Sequence, residues 1–308
     1  EVVAGYGGNH IIYHALAATL NLGDEVIVHT PYWVSYPDIA RLNDATPVII
    51  PGDETIGFKL SPEALEQAIT PRSKWVILNT PNNPSGAVYS EVELLALAEV
   101  LRRHPHVLVM ADEVYEQFVY GDTKHVSLTR LAPDLQSRTL IVNGASKAYA
   151  MTGWRLGFGA GPAWLIAAIG KLLSQTTTCP CSVSQAAAVA AFAGDQAPIA
   201  GMRKVYQQRR DRILELLRPI NGLSFTPPDG AFNVFANVSD LMGKATESGE
   251  VIQSDSQLVA YLLKEHGLAT VSGAAYGMSP YIRLSFASSL DVIEEGCRRL
   301  KEACQRLR

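Results

Sequence analysis

The sequence predicts an α/β fold: a three-layer α/β/α large domain on a mostly parallel sheet, followed by a smaller C-terminal α/β domain. Three observations carry this. Short runs rich in Val, Ile and Leu alternate with amphipathic helical stretches along the first two thirds of the chain. These runs are continuously apolar, as strands covered on both faces by helices are. The length, 308 residues, buries a large core and suits one large or two moderate domains. The expected division is residues 1–201 and residues 202–308.

Taken in order, EVVAGYGG reads as a strand running into a tight turn, and a helix pattern over 9–20 follows. The chain opens on Glu1 inside that strand, so a segment upstream is expected. EVIVH (25–29) and PVII (47–50) are the next strands. A helix then starts at Ser61-Pro62-Glu63, where Ser suits the N-cap and Pro the first helical position. WVILN (75–79), a helix from about Ser90 to Arg103, VLVMAD (107–112) and TLIVN (139–143) continue the alternation. From about 183 to 218 the pattern is helical, with a break near Asp195-Gln196-Ala197-Pro198. The last third has strands near 232–238 and 281–287 and helices near 254–266 and 291–307. The polar stretch GKATESGEVIQSD (243–255) is expected on the surface, and there is no internal repeat.

Composition narrows the function classes. A net charge of −4 gives no footprint for nucleic acid or an anionic membrane surface. No apolar run is long enough to span a bilayer, and no signal peptide is visible. Cys179, Cys181, Cys297 and Cys304 fit neither a zinc site nor a disulfide framework, so reduced thiols in a cytoplasm are the expectation. His10 and His14, four apart without an acidic ligand, read as an ordinary helix face, and no metal is expected.

Open parallel sheets place their ligand sites at the carboxyl ends of the strands. Those ends carry GYGGNH, TPYWVSY, TPNNPSG, ADEVY and GASK. Together they suit pyridoxal phosphate. Lys147, set among small and apolar residues, can hold an aldehyde as a Schiff base if burial lowers its pKa. The Gly7-Gly8-Asn9 turn opening a helix offers backbone N–H groups to a phosphate, and Arg155 adds a charge-assisted contact. Asp112 can keep a pyridine nitrogen protonated, Asn83 and Tyr115 can tune a ring hydroxyl, and Trp33 can cover the ring face. Each has a plainer reading alone. Lys147 could be a surface lysine, Asn82-Asn83-Pro84-Ser85-Gly86 a turn, Asp112 a helix cap and Trp33 a core aromatic.

The chain resembles the class I and II aminotransferases, pyridoxal-phosphate enzymes of the aspartate aminotransferase fold (fold type I). GASKAYAMTGWRLG carries their lysine signature: a small residue three before Lys147, Ser just before it, Gly six after and Arg eight after. PYWVSYP, NTPNNPSGAVY, ADEVYE and YIRLSFA match in order across essentially the whole chain, and PYWVSYP with SKAYAMTGWR looks most like the bacterial aspartate and aromatic branch. The resemblance implies that Lys147 forms the Schiff base and shuttles a proton, that Asp112 pairs with the ring nitrogen, and that Tyr115 and Asn83 contact the ring hydroxyl. It further implies Trp33 stacked on the ring, Gly7, Gly8, Asn9 and Arg155 around the phosphate, and Arg283 as a fork for the substrate α-carboxylate, with Trp33 and Asn83 also facing substrate.

Two positions depart from the family pattern. Asn9 stands where relatives preferring dicarboxylates often have a lysine, and Asn233 where an aromatic is common. The expected activity is amino-group transfer from an L-amino acid, aspartate or aromatic-like, to a 2-oxo acid such as 2-oxoglutarate, in a ping-pong reaction. A Cβ-eliminating lyase and an aminotransferase-like sensing domain of a regulator are the alternatives. A cytoplasmic homodimer is expected, with the loop QTTTCPCS (175–182) reaching toward the partner's site, and neither nucleic acid nor membrane as a partner.

Overall fold

The computed structural model describes residues 1–308. The chain runs β1 (Val2–Gly5), α1 (Gly8–Thr19), β2 (Glu25–His29), α2 (Ser35–Leu42), β3 (Thr46–Ile50), α3 (Pro62–Ala68), β4 (Ser73–Asn79) and α4 (Glu91–Arg103). It continues with β5 (Leu108–Asp112), a single turn α5 (Leu128–Leu131), β6 (Thr139–Gly144), β7 (Gly157–Ala160), α6 (Ala163–Thr176), α7 (Ser182–Ala193) and α8 (Ala197–Leu217). The last part holds β8 (Ser224–Phe225), β9 (Asn233–Asn237), α9 (Asp255–His266), β10 (Val271–Ser272), β11 (Tyr281–Ser285) and α10 (Leu290–Arg306).

Seven strands form one sheet in the order β1-β7-β6-β5-β4-β2-β3. The pairs among β2 to β6 are parallel, and β7 runs antiparallel to both β6 and β1. Because β7 reverses twice, β1 points the same way as β6, and its end joins the common carboxyl edge. Strand alternation sorts the core into two layers. Val26, Val28, Trp75, Ile77 and Met110 pack with α1, α2 and α6, whereas Ile27, Val76, Leu78 and Val109 pack with α3, α4 and α5. This is the expected three-layer arrangement. Its helices begin where local chemistry says they should: Ser61 caps α3, and Ser90 with Glu93 closes a reciprocal capping box on α4.

Two elements lie in a stretch to which the sequence assigns none. β7 is GFGA, with two glycines and no β-branched residue, so it carries no strand signal. The following α6 has no side-chain cap and is apolar over most of its length. The last third forms a four-stranded antiparallel sheet, β10-β11-β9-β8, under α8, α9 and α10. Residue 201 falls inside α8, so that helix crosses the expected division. The polar stretch 243–255 is not wholly on the surface. Thr246 and Ile252 are buried, and Ala245 bridges to Val251.

Candidate active site

The carboxyl edge of the large sheet opens into a cavity of about 230 Å³. Gly8, Asn9, Trp33, Asn83, Asp112 and Tyr115 line it, with Lys147 and Arg155. These residues come from the ends of β1, β2, β4, β5 and β6 and from the approach to β7, which is how positions 147 residues apart in sequence share one wall. Gly7 and Arg283 do not line the cavity itself, but each contacts a residue that does.

Lys147 and Asp112 set its electrostatics. Burial lowers the Lys147 ammonium below its ordinary pKa, and the positive charges of Arg283 and Arg155 push the same way, while Asp112 opposes them. Its Nζ stands 5.4 Å from the centroid of the Tyr115 ring and the same distance from that of Phe232. An amine in this setting releases its proton more readily than an exposed lysine and is a better nucleophile. Asp112 is buried, and burial raises its carboxyl above the usual range although the Tyr36 hydroxyl donates to Oδ2 at 2.6 Å. The Val114 amide donates to Oδ1 at 3.3 Å. No arginine or lysine forms an ion pair with this carboxylate. A buried anion at a cavity wall therefore calls for a cation from a ligand, and a protonated ring nitrogen fits that need.

The opposite corner is built for an anion. Gly7 has φ 85° and precedes the first turn of α1, so the helix presents its amide end there. A Cβ on Gly7 would lie 2.6 Å from Arg155 Nη2, which shows how closely the guanidinium covers this turn. Arg155 is held by the carbonyls of Thr152 at 2.9 Å and Tyr6 at 3.3 Å. The Trp33 indole donates to Asn9 Oδ1 at 3.2 Å, which ties the ring to the same corner. From behind, a Cβ on Gly157 would stand 2.5 Å from both Gly7 C and Gly8 N, atoms of the backbone that cannot swing away. Gly157→Ala is therefore expected to destabilise the protein by about 1–3 kcal/mol and to weaken anion binding at the turn. Urea unfolding and inorganic phosphate titration check the two effects, and an unchanged unfolding midpoint with unchanged phosphate affinity would refute them.

A third group of side chains spans the two sheets. Asn83 Nδ2 donates to the Tyr115 hydroxyl at 3.4 Å, and Arg283 Nη1 donates to Asn83 Oδ1 at 3.3 Å. Arg283 sits on β11 with its guanidinium 5.3 Å from the Tyr276 ring centroid, and its buried Nε has no partner. Burial also raises the Tyr115 hydroxyl, so it remains a donor at ordinary pH.

The sequence reading misses several residues that complete this arrangement. Tyr36 lies in PYWVSYP, the segment read for Trp33, but only the start of α2 at Ser35 turns its hydroxyl onto Asp112. Asn79 ends β4 opposite Asp112, donates to the Asp112 carbonyl at 3.0 Å and accepts from the Asn83 amide at 2.9 Å. Ser146 and Thr152 also line the cavity. Glu113, between Asp112 and Tyr115, faces elsewhere. It meets His125 Nε2 at 3.4 Å, with Glu116 close by, away from the cavity lining. His14 is engaged through both ring nitrogens, to the His10 carbonyl at 2.7 Å and Thr176 Oγ1 at 2.9 Å.

Known proteins resemble this chain along nearly its whole length. Residues 1–300 match the family model described as aminotransferase class I and II. The aspartate/prephenate aminotransferase of Cereibacter sphaeroides is 47% identical over 99% of this chain and 76% of its own length. The crystal structure of the aspartate aminotransferase from Rhizobium meliloti superposes with a TM-score of 0.97 at 46% identity, covering 100% of this chain and 77% of that one. The aromatic aminotransferase of Pyrococcus horikoshii gives a TM-score of 0.90 at 34% identity, covering 99% of this chain and 79% of that one.

Proposed function

The chain belongs to the class I and II aminotransferases, and on that premise we propose that it uses pyridoxal phosphate, held by Lys147, to move the amino group of aspartate or an aromatic amino acid to 2-oxoglutarate. The protein is a transaminase, transferring an amino group between an amino acid and a 2-oxo acid. The observation that carries the finer reading is the presence in one cavity of a half-buried lysine and a buried carboxylate with no ion-pair partner. The names of the relatives, which include aspartate, prephenate and aromatic aminotransferases, support the donor class.

When bound, pyridoxal phosphate supplies an aldehyde that condenses with an amine and a pyridinium ring that draws electrons from the adjoining carbon. The remaining work falls to the chain. The Gly8 and Asn9 amides and Arg155 hold the phosphate, while Trp33 covers one face of the ring and keeps water from it. Asp112 retains the proton on the ring nitrogen, and the Tyr36 hydroxyl fixes which way that carboxylate points. Tyr115 and Asn83 donate to the ring oxygen. Arg283 binds the substrate α-carboxylate with its two-pronged guanidinium, which orients the Cα–H bond toward Lys147. Lys147, whose amine burial makes easier to deprotonate, would take that proton from Cα and hold it at Nζ. In the second half-reaction the same groups act in reverse on the oxo acid.

We place this activity in a homodimer in the cytoplasm, with the segment 175–182 directed at the partner. The exposed side chains of Val183, Val189 and Phe192 on α7 support such an interface, and no helix is long and apolar enough to cross a membrane. Purified protein with pyridoxal phosphate should convert L-aspartate or L-phenylalanine beyond one equivalent per site only when 2-oxoglutarate is present. Release of ammonia and pyruvate from cysteine without an acceptor would instead make it a lyase. Ligand binding without turnover would make it a sensor.

A further inference from the structure

The small sheet meets the large domain through one face. On β9 that face carries Asn233, Phe235 and Asn237, and on β11 it carries Tyr281 and Arg283. Tyr281 and Asn237 reach Glu54, at 2.6 Å and 3.3 Å, well away from the cavity. The other end of the face converges on a single atom. Asn83 Oδ1 accepts from Arg283 Nη1 at 3.3 Å and from Asn233 Nδ2 at 3.4 Å.

That convergence decides how the Asn83 amide lies. The two ends of an asparagine amide have nearly the same shape, so only its hydrogen-bond partners tell them apart. Arg283, which can only donate, makes that end the oxygen, and the Asn233 amide then turns its NH2 to the same atom. The NH2 group is then directed at the Tyr115 hydroxyl, as observed at 3.4 Å. A reversed amide would set its own N–H groups against those of Arg283, which has no acceptor to offer.

The two donors differ in what else they must do. Arg283 keeps an unpartnered buried Nε, so its guanidinium still has hydrogen bonds to give, and a carboxylate ligand competes with Asn83 for them. Asn233 is 1% exposed and offers its amide to no ligand. We infer that Asn233 is a positioning residue: it keeps the Asn83 amide oriented, with its NH2 toward Tyr115 and the ring oxygen, while Arg283 turns to the substrate carboxylate. The inference rests on the cofactor reading above. It gives the asparagine at 233 a task in the reaction without contact to substrate.

Two variants separate this role from packing. Asn233→Leu keeps the branched shape and removes the donor, whereas Asn233→Ser leaves space and retains one. In the cofactor-loaded protein, Asn233→Leu is expected to raise the pH midpoint of the visible absorption band. A donor facing the ring oxygen stabilises its negative charge most when no proton neutralises it, so losing that donor favours the protonated form. Asn233→Leu should also lower kcat about fivefold, the worth of one net hydrogen bond, with little change in KM for the donor amino acid. Asn233→Ser should keep the midpoint and kcat nearer the wild type, although the space it leaves lowers the melting temperature. The inference is overturned if both variants titrate like the wild type, or if both lose kcat in step with their stability. A wild-type protein that shows no visible band would instead overturn the cofactor reading, and this inference with it.

Discussion

Lys147→Ala is expected to abolish the visible band of the protein with pyridoxal phosphate and to lower turnover at least about a thousandfold. No other lysine lines the cavity, so nothing in the chain replaces the amine as a covalent anchor or as the carrier of the Cα proton. The variant should nevertheless fold well. Lys147 is half-buried, mainly at a cost to its charged form, with Arg283 and Arg155 adding repulsion. Its folded pKa lies below the ordinary lysine value of 10.5, so near that pH the unfolded chain holds a proton that the folded chain has released. Stability of the cofactor-free wild type therefore gains as pH rises through the window between the two values. Lys147→Ala should lack that gain. Urea unfolding on either side of the window reads it, and equal slopes for the two proteins would show that Lys147 is not strained by burial.

Asp112→Asn should be the second most damaging change, lowering kcat by about 10²–10³-fold while leaving the fold intact. The amide keeps the shape and can still accept from Tyr36, but it carries no charge to hold a proton on the ring nitrogen. Because burial already raises the Asp112 carboxyl, removing the charge costs the cofactor-free protein little. Asp112→Glu retains the charge with displaced geometry and should fall between the two. Single-turnover rates with L-aspartate measure the loss at the proton-transfer step. If Asp112→Asn turns over as fast as the wild type, the carboxylate does not serve the ring nitrogen.

Much of this site was legible because its parts sit at strand ends. Apolar runs such as EVIVH and TLIVN locate the strands, and the loop after each run carries the chemistry. Spacing around Lys147 fixed its relation to Ser146, Gly153 and Arg155 within one local segment. What escaped depends on contacts between distant segments. Tyr36 reaches Asp112 only because α2 starts at Ser35 beside the carboxyl end of β5, a relation that no local pattern encodes. Asn79 ends a plainly recognisable strand, yet its role follows from its register with Asp112 in the neighbouring one. β7 was invisible for a different reason. Gly157 suits close approach to the Gly7–Gly8 turn and Gly159 to Ile11, and both suppress the residue types that mark a strand. Position 283 shows the limit most clearly. A strand arginine is unremarkable in sequence, and it acquires meaning when β9 and β11 bring it to Asn83, 200 residues earlier in the chain.

The central claim is that Lys147 is the residue that holds the cofactor. Borohydride reduction of the protein with pyridoxal phosphate, followed by peptide mass mapping, tests it most directly, because reduction makes the lysine–cofactor bond permanent. The account predicts one pyridoxyl group per chain, on the peptide containing Lys147, and its disappearance when L-aspartate is added before the reductant. An adduct on any other lysine, or none at all, would contradict it.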